Sequence, residues 1–186
     1  MKKVLFVALF AVSASAAFSQ SNINKGDWMV GGDASFNSNK SGEYKTTTVG
    51  FAPNAGYFFI NNFAGGLRVN VASTKETFNS TDATSSELSL APFVRYYFLP
   101  ASQKVNIFAD ASFGFGQNKY KSGSIDEKTN FTSYGIKAGP AIFITPATAL
   151  EINLGYNSSK VKDATDRSNN FGVNFGFQIH IPGSKK

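Results

Sequence analysis

Residues 169–181 read Asn-Asn-Phe-Gly-Val-Asn-Phe-Gly-Phe-Gln-Ile-His-Ile, with a large apolar side chain at every second position from Phe171 to Ile181 and small or polar ones between. A period of two sends alternate side chains to opposite faces of an extended backbone, so this is a strand with one oily and one polar face. A soluble sheet lying on a core shows the same alternation, and this segment alone leaves its surroundings open. The pattern recurs along the chain, and that recurrence is what constrains the fold.

Seven earlier runs carry it. Trp28, Val30, Ala34 and Phe36 oppose Met29, Gly31, Asp33 and Ser35; Val49, Phe51, Pro53, Ala55 and Tyr57 oppose Gly50, Ala52, Asn54 and Gly56. Leu67, Val69 and Val71 oppose Arg68 and Asn70, and Leu88, Leu90, Pro92, Val94 and Tyr96 oppose Glu87, Ser89, Phe93 and Arg95. The remaining three set Ile107, Phe113 and Phe115 against Asp110 and Gly114, Tyr134, Ile136 and Ile142 against Gly135 and Lys137, and Leu150, Ile152 and Leu154 against Glu151 and Asn153. Long polar stretches at 38–45, 77–86, 117–130 and 158–168 alternate with tight turns at 61–62, 100–102 and 145–147. Strict long-short alternation predicts an eight-stranded antiparallel up-and-down transmembrane β-barrel with both termini periplasmic. Each run is about 12 residues, enough for the ~9–11 that a tilted strand needs to cross a bilayer.

Which face meets lipid follows from composition. The apolar parity carries no charge through the middle of any run, whereas the opposite parity is rich in Gly, Ser, Asn and Ala. A soluble periplasmic barrel, the competing reading, would turn its oily face inward and cover its outside with charge; a narrow membrane barrel needs small and polar residues inside. Aromatic residues cluster near both ends of the runs, as two interfacial girdles would.

The chain opens with Lys2-Lys3, a short apolar run and small residues up to Ser19, the three-part pattern of a secretory leader over 1–19, leaving 20–186 as the barrel domain. The chain has no cysteine, so a closed hydrogen-bonded sheet must hold an exported fold together. A formal charge of +6, scattered among acids, speaks against a nucleic-acid partner.

Charges on the lumen parity are the candidate site. Counted from the turns, Asp33, Arg68, Asp110 and Lys137 fall at similar depth, Arg95, Glu151 and His180 lie lower, and Glu87 lies near the outer rim. Two acids and two bases in a lumen just wide enough for side chains should pair, giving a salt-bridged plug; a gated path would use the same residues. Pro53, Pro92 and Pro140 sit on the lipid-facing parity at comparable depth, where missing ladder bonds or bulges are expected.

The stretch 51–66, with Pro53, then Gly56-Tyr57-Phe58, then a turn at 61–62 and the small-residue start Ala64-Gly65-Gly66, resembles the small outer-membrane β-barrel family that includes the OmpX- and OmpW-like proteins. The last strand is similar to an outer-membrane assembly signal, although the chain continues past Ile181 with Pro182-Gly183-Ser184. The resemblance implies contact with outer-membrane lipid and lipopolysaccharide, handling by the barrel assembly machinery, and an extracellular ligand at the loops. No cofactor or metal is implied. Outer-membrane enzymes that act on lipid A share the architecture and use a His with a Ser, but His180, the only histidine, lies on the lumen parity with Pro182, not a hydroxyl residue, nearby. A structural or surface-interaction barrel is therefore the expectation, with a transport barrel and a lipid-modifying enzyme as its alternatives.

Overall fold

The computed structural model describes residues 21–78 and 81–184; the expected leader over 1–19 lies outside them. The alternating runs form strands β1 (Trp28–Ser41), β2 (Tyr44–Ile60), β3 (Phe63–Phe78), β4 (Thr81–Tyr97), β5 (Val105–Ser122), β6 (Ile125–Thr145), β7 (Thr148–Val161) and β8 (Ser168–Ile181). Each pairs antiparallel with its sequence neighbour, and β1 pairs with β8 to close the barrel. Closure joins the first strand to the last, so the continuous part of the wall has no free strand edge and its ladder groups need no water, while 35–41 of β1 and 125–130 of β6 extend past the shared ladders.

The parity read from the sequence is the parity of the wall. Val30, Phe51, Leu88, Phe113, Ile136 and Phe175 point outward and are exposed, while Asp33, Asn54, Arg68, Asp110, Glu151 and Gln178 point inward and are buried. A girdle residue such as Phe36 is 72% exposed, an untenable position in water but the expected one in lipid.

Three of the stretches expected as long loops are strand. β1 and β2 stay paired to Ser41↔Tyr44, and β5 and β6 to Ser122↔Ile125, so only the two-residue turns at Gly42 and Gly123, each with positive φ, interrupt them. β3 and β4 likewise pair to Phe78↔Thr81. Beyond the membrane both faces are wet, so the apolar alternation fades although the ladder continues. Of these four stretches, only the last holds an open loop among the described residues, at 162–167, while the connection expected as a tight turn at 100–102 spans 98–104.

The prolines leave gaps without bulges. Pairing between β2 and β3 skips from Phe51↔Val71 to Asn54↔Arg68, between β4 and β5 from Leu90↔Phe115 to Phe93↔Ser112, and between β6 and β7 from Ala138↔Leu154 to Ala141↔Glu151. Each interruption keeps register, and each proline still faces a partner on its other side, as in Leu67↔Pro92. A missing N–H removes a bond from one flank only.

The seam is the shortest ladder. Only Trp28–Ala34 pairs with Phe175–Ile181, whereas all of β1 pairs with β2. Gly31 lies in it, and a Cβ there would stand 2.1 Å from the Phe177 carbonyl oxygen and 2.5 Å from Gln178 Oε1. Gly31→Val should therefore weaken closure more than the same change at an open position. We expect the compact, heat-shifted gel band to disappear at a temperature at least 10 °C lower; an unchanged transition would mean the seam has slack.

Candidate functional site

The interior divides into an ion lattice at mid-height and an apolar floor at the turn end. β4, β5 and β6 carry Arg95, Asp110 and Lys137 as direct cross-strand neighbours on the inward parity. Arg95 joins the two halves of the lattice. Its Nε donates to Asp110 Oδ2 at 3.2 Å and its Nη1 to Glu151 Oε1 at 2.7 Å, and its guanidinium carbon stands 4.3 Å from the Phe108 ring centroid. From the other side Arg68 Nη2 donates to the same Asp110 oxygen at 2.7 Å and lies over Phe93. Lys137 donates to Asp33 Oδ2, and Asp33 Oδ1 accepts from Asn153 Nδ2 at 3.1 Å, which ties β1 to β6 and β7 across the lumen.

Three acids and three bases thus share one level: Arg68, Asp110, Arg95 and Glu151 form one chain of ion pairs, and Lys137 with Asp33 forms a second pair beside it. Their charges cancel, which is the condition for ions to be held away from water. Arg95 and Glu151, counted as lower than the other four, belong to the same lattice. The stagger of tilted strands shifts each strand's depth relative to the next, so a count along the chain misjudges level.

Glu87 stays apart. It makes no ion pair among the described residues and lines a cavity of about 260 Å³ on the loop side of the lattice, together with Asn70 and Ser89, with Arg68, Asp110 and Lys137 at the cavity's inner end.

Below the lattice the lumen is filled by apolar side chains. Met29, Phe58, Phe93, Tyr97, Phe108 and Phe143 are buried there. His180 is fully buried among them, its ring centroid 5.2 Å from Phe143 and 6.0 Å from Phe58, and its Nε2 is 3.2 Å from Tyr97 OH. Tyr97 links floor to lattice, since its hydroxyl accepts from Arg95 Nη1 at 3.2 Å.

The segment 21–27 closes this end. Ile23 is fully buried in the floor. Ser21 N donates to Ala101 O at 2.8 Å, Asn22 N to Pro146 O at 3.0 Å, and Ile23 O accepts from Asn62 N at 2.8 Å, so one short segment bonds all three tight turns. Asp27 Oδ1 accepts from Gly183 N at 2.9 Å, adding the chain just after β8.

Sequence reasoning singled out the charges but neither the floor nor this cap. The signal for the floor was present: Phe58, Phe93, Tyr97, Phe108 and Phe143 are large residues on the small-residue parity, all near turn ends. The cap had none, because 21–27 does not alternate. Chemically the arrangement can hold charge and exclude water. Among the described residues no group of three or more His, Asp or Glu is placed to hold a metal ion.

A closed antiparallel barrel with an oily outer wall and a polar, charge-filled interior defines a class, the transmembrane β-barrels of bacterial outer membranes. Within it, this chain belongs to the family described as outer membrane protein beta-barrel domain, whose model matches residues 4–178. The fold is similar to that of Neisserial surface protein A, at 20% identity and a TM-score of 0.55 over 83% of this chain and 99% of that one. It is similar as well to the outer membrane protein OprG from Pseudomonas aeruginosa, at 9% identity and a TM-score of 0.51, covering 89% of this chain and all of that one. No curated protein matches the sequence.

Proposed function

We propose that this barrel is a structural or surface-interaction protein of the outer membrane with a closed lumen, its termini in the periplasm and its long hairpins outside. The observation that carries the reading is the six-charge lattice, stacked on the apolar floor and the 21–27 cap. Ions crossing would have to displace paired charges and then fully buried aromatic rings. The orientation rests on the cap and the tight turns sharing one end, the usual periplasmic side, while the extended hairpins share the other. The hairpin tips are where an extracellular ligand would be met.

A non-enzymatic role is supported by the surroundings of His180, whose ring neighbours are Phe58, Tyr97 and Phe143, and whose side-chain polar partner is a phenol, not a serine. The transport reading, a narrow path for small or hydrophobic molecules, meets the same obstruction.

Planar-bilayer conductance tests the closed lumen. The intact protein should show no steady open level. Arg68→Ala removes one base from the lattice and should introduce only brief, small openings, because the floor remains. A steady large conductance in the intact protein would reject the plug and favour the channel.

A further inference from the structure

The inward parity is treated oppositely at the two ends of the barrel. At the turn end it is filled by aromatic rings; on the loop side of the ion lattice it is cut back to glycine and small polar residues, leaving the cavity of about 260 Å³. Gly50, Gly135, Gly155 and Gly172 are among its walls. Gly172 separates space from necessity. A Cβ at Gly31, Gly66 or Gly139 would stand 2.0–2.1 Å from a backbone carbonyl oxygen, so those glycines answer to close packing of the wall. At Gly172 such a Cβ would meet only Asn170 Oδ1, at 3.8 Å. The side chain missing there relieves no clash and leaves room.

The room is polar and its groups are idle. Half-buried Glu87 lines it from β4, between Ala72 of β3 and Asn118 of β5. Its carboxylate has neither an ion pair nor a hydrogen bond among the described residues. Ser133, only 7% exposed, lines the cavity as well, as do Ser35, Ser112 and Asn157, and none of these side chains is hydrogen-bonded among the described residues. At the inner end, Asp110 Oδ1 and Arg68 Nε are buried acceptor and donor without partners. Buried polar groups are as a rule paired, and unpaired ones gathered round one space describe the guest that would pair them.

Charge sets the sign of that guest. The bases at the inner end are spent on acids, Arg68 on Asp110 and Lys137 on Asp33. On the loop side of the lattice, the charged strand residues of the lumen parity are Glu76, Glu87 and Glu127, while strand lysines such as Lys45, Lys75 and Lys119 stand on the outward parity. A passage walled by one sign of charge concentrates the opposite sign inside it. A cation is drawn in, and a carboxylate carried with it would find no free base.

From these observations we infer that the cavity is a binding site for a small hydroxylated amine, an amino alcohol or amino sugar. Its ammonium group meets Glu87, and its hydroxyl groups meet Ser112, Ser133 and the idle atoms of Asp110 and Arg68. A drug-sized ligand needs roughly 300–1,000 Å³, so the guest is smaller, of the order of one sugar ring. The inference goes beyond the surface role proposed above and does not use the closed lumen, since a blind cavity and a passage would both hold the amine. The outward hairpins serve only to place its mouth outside the cell.

The test titrates the full mature barrel, in neutral-detergent micelles, by calorimetry with D-glucosamine, with D-glucose, which carries a hydroxyl in place of the ammonium, and with ammonium chloride. Glucosamine should bind at least about tenfold more tightly than glucose, the worth of one charge-assisted hydrogen bond, and more tightly than ammonium chloride. Glu87→Gln should erase the preference, weakening glucosamine about tenfold or more and leaving glucose unchanged. Glu43→Gln removes equal charge from an exposed hairpin tip and should change nothing. Gly172→Leu fills the space without touching Glu87 and should abolish binding. It lies above the seam ladder, which ends at Ala34↔Phe175, so the compact gel band should persist. Equal binding of the two sugars would overturn the proposal, as would equal losses in Glu87→Gln and Glu43→Gln, or a compact Gly172→Leu barrel that still binds. Ammonium chloride binding as tightly as glucosamine would assign Glu87 to bare cations and overturn it too.

Discussion

Replacing Arg95 by methionine should lower the unfolding free energy by about 3–5 kcal/mol, the usual cost of removing one partner from a buried ion pair. Arg95 is fully buried, and among the described residues its guanidinium is the only cation within 4.0 Å of Glu151. Without it Glu151 keeps a 3.4 Å contact with Tyr97 OH and nothing charged, whereas Asp110 retains Arg68 at 2.7 Å. The damage is therefore concentrated on one carboxylate. Adding Glu151→Gln should recover more than half of the loss, because the stranded charge is gone while the shape remains; Asp110→Asn should recover little. Urea unfolding in micelles, followed by tryptophan fluorescence from Trp28 and by gel mobility, measures all four proteins. A fully stable Arg95→Met barrel would mean that water reaches Glu151, and the dry lattice would have to be abandoned.

The second large effect is expected at the cap. Ile23→Asp places a carboxylate where a fully buried aliphatic side chain now packs on the floor. Truncating such a residue costs about 2–5 kcal/mol, and charging it costs more. The segment 21–27 can release while the ladder stays whole, so undocking is the cheaper response. In docking equilibrium that is about 30-fold to several thousandfold. Lys25, exposed within the segment, reports it: trypsin should cut after Lys25 at least 30 times faster in the variant. Conductance should stay low, since the ion lattice lies above the floor. Rapid cutting in the native barrel would show the cap to be open at rest. Steady current on undocking would show the cap, not the lattice, to be the seal.

Both results turn on features differently legible in the chain. The faces of all eight strands could be read from parity, because side-chain direction in a strand is a property of neighbouring residues alone. Strand ends could not. Past the membrane, Ser, Thr, Asn and Lys occupy both faces of β5 and β6, and a ladder wet on both sides leaves no alternation to see. Lumen charges were recognisable as a set, but their partners were not. Arg95 was counted as deeper than Asp110, yet the two face each other across β4 and β5. Glu87 was grouped with the rest, yet lies apart from the lattice, lining the cavity on its loop side.

By itself, then, the sequence determined an eight-stranded closed barrel, its lipid and lumen faces, the inventory of lumen charges and the gaps beside Pro53, Pro92 and Pro140. Each of these follows from period, composition or a missing N–H, which act within one strand or its immediate neighbour. Only the tertiary structure decided that Arg95 bridges Asp110 and Glu151, that Asp33 reaches Lys137 and Asn153, that five aromatic residues fill the turn end, and that Ile23 packs against them. Apart from Arg95–Asp110, which joins adjacent strands, the ion pairs and hydrogen bonds among them cross the lumen between strands far apart in the chain. They depend on stagger and closure, quantities that belong to the whole barrel and to no segment of it.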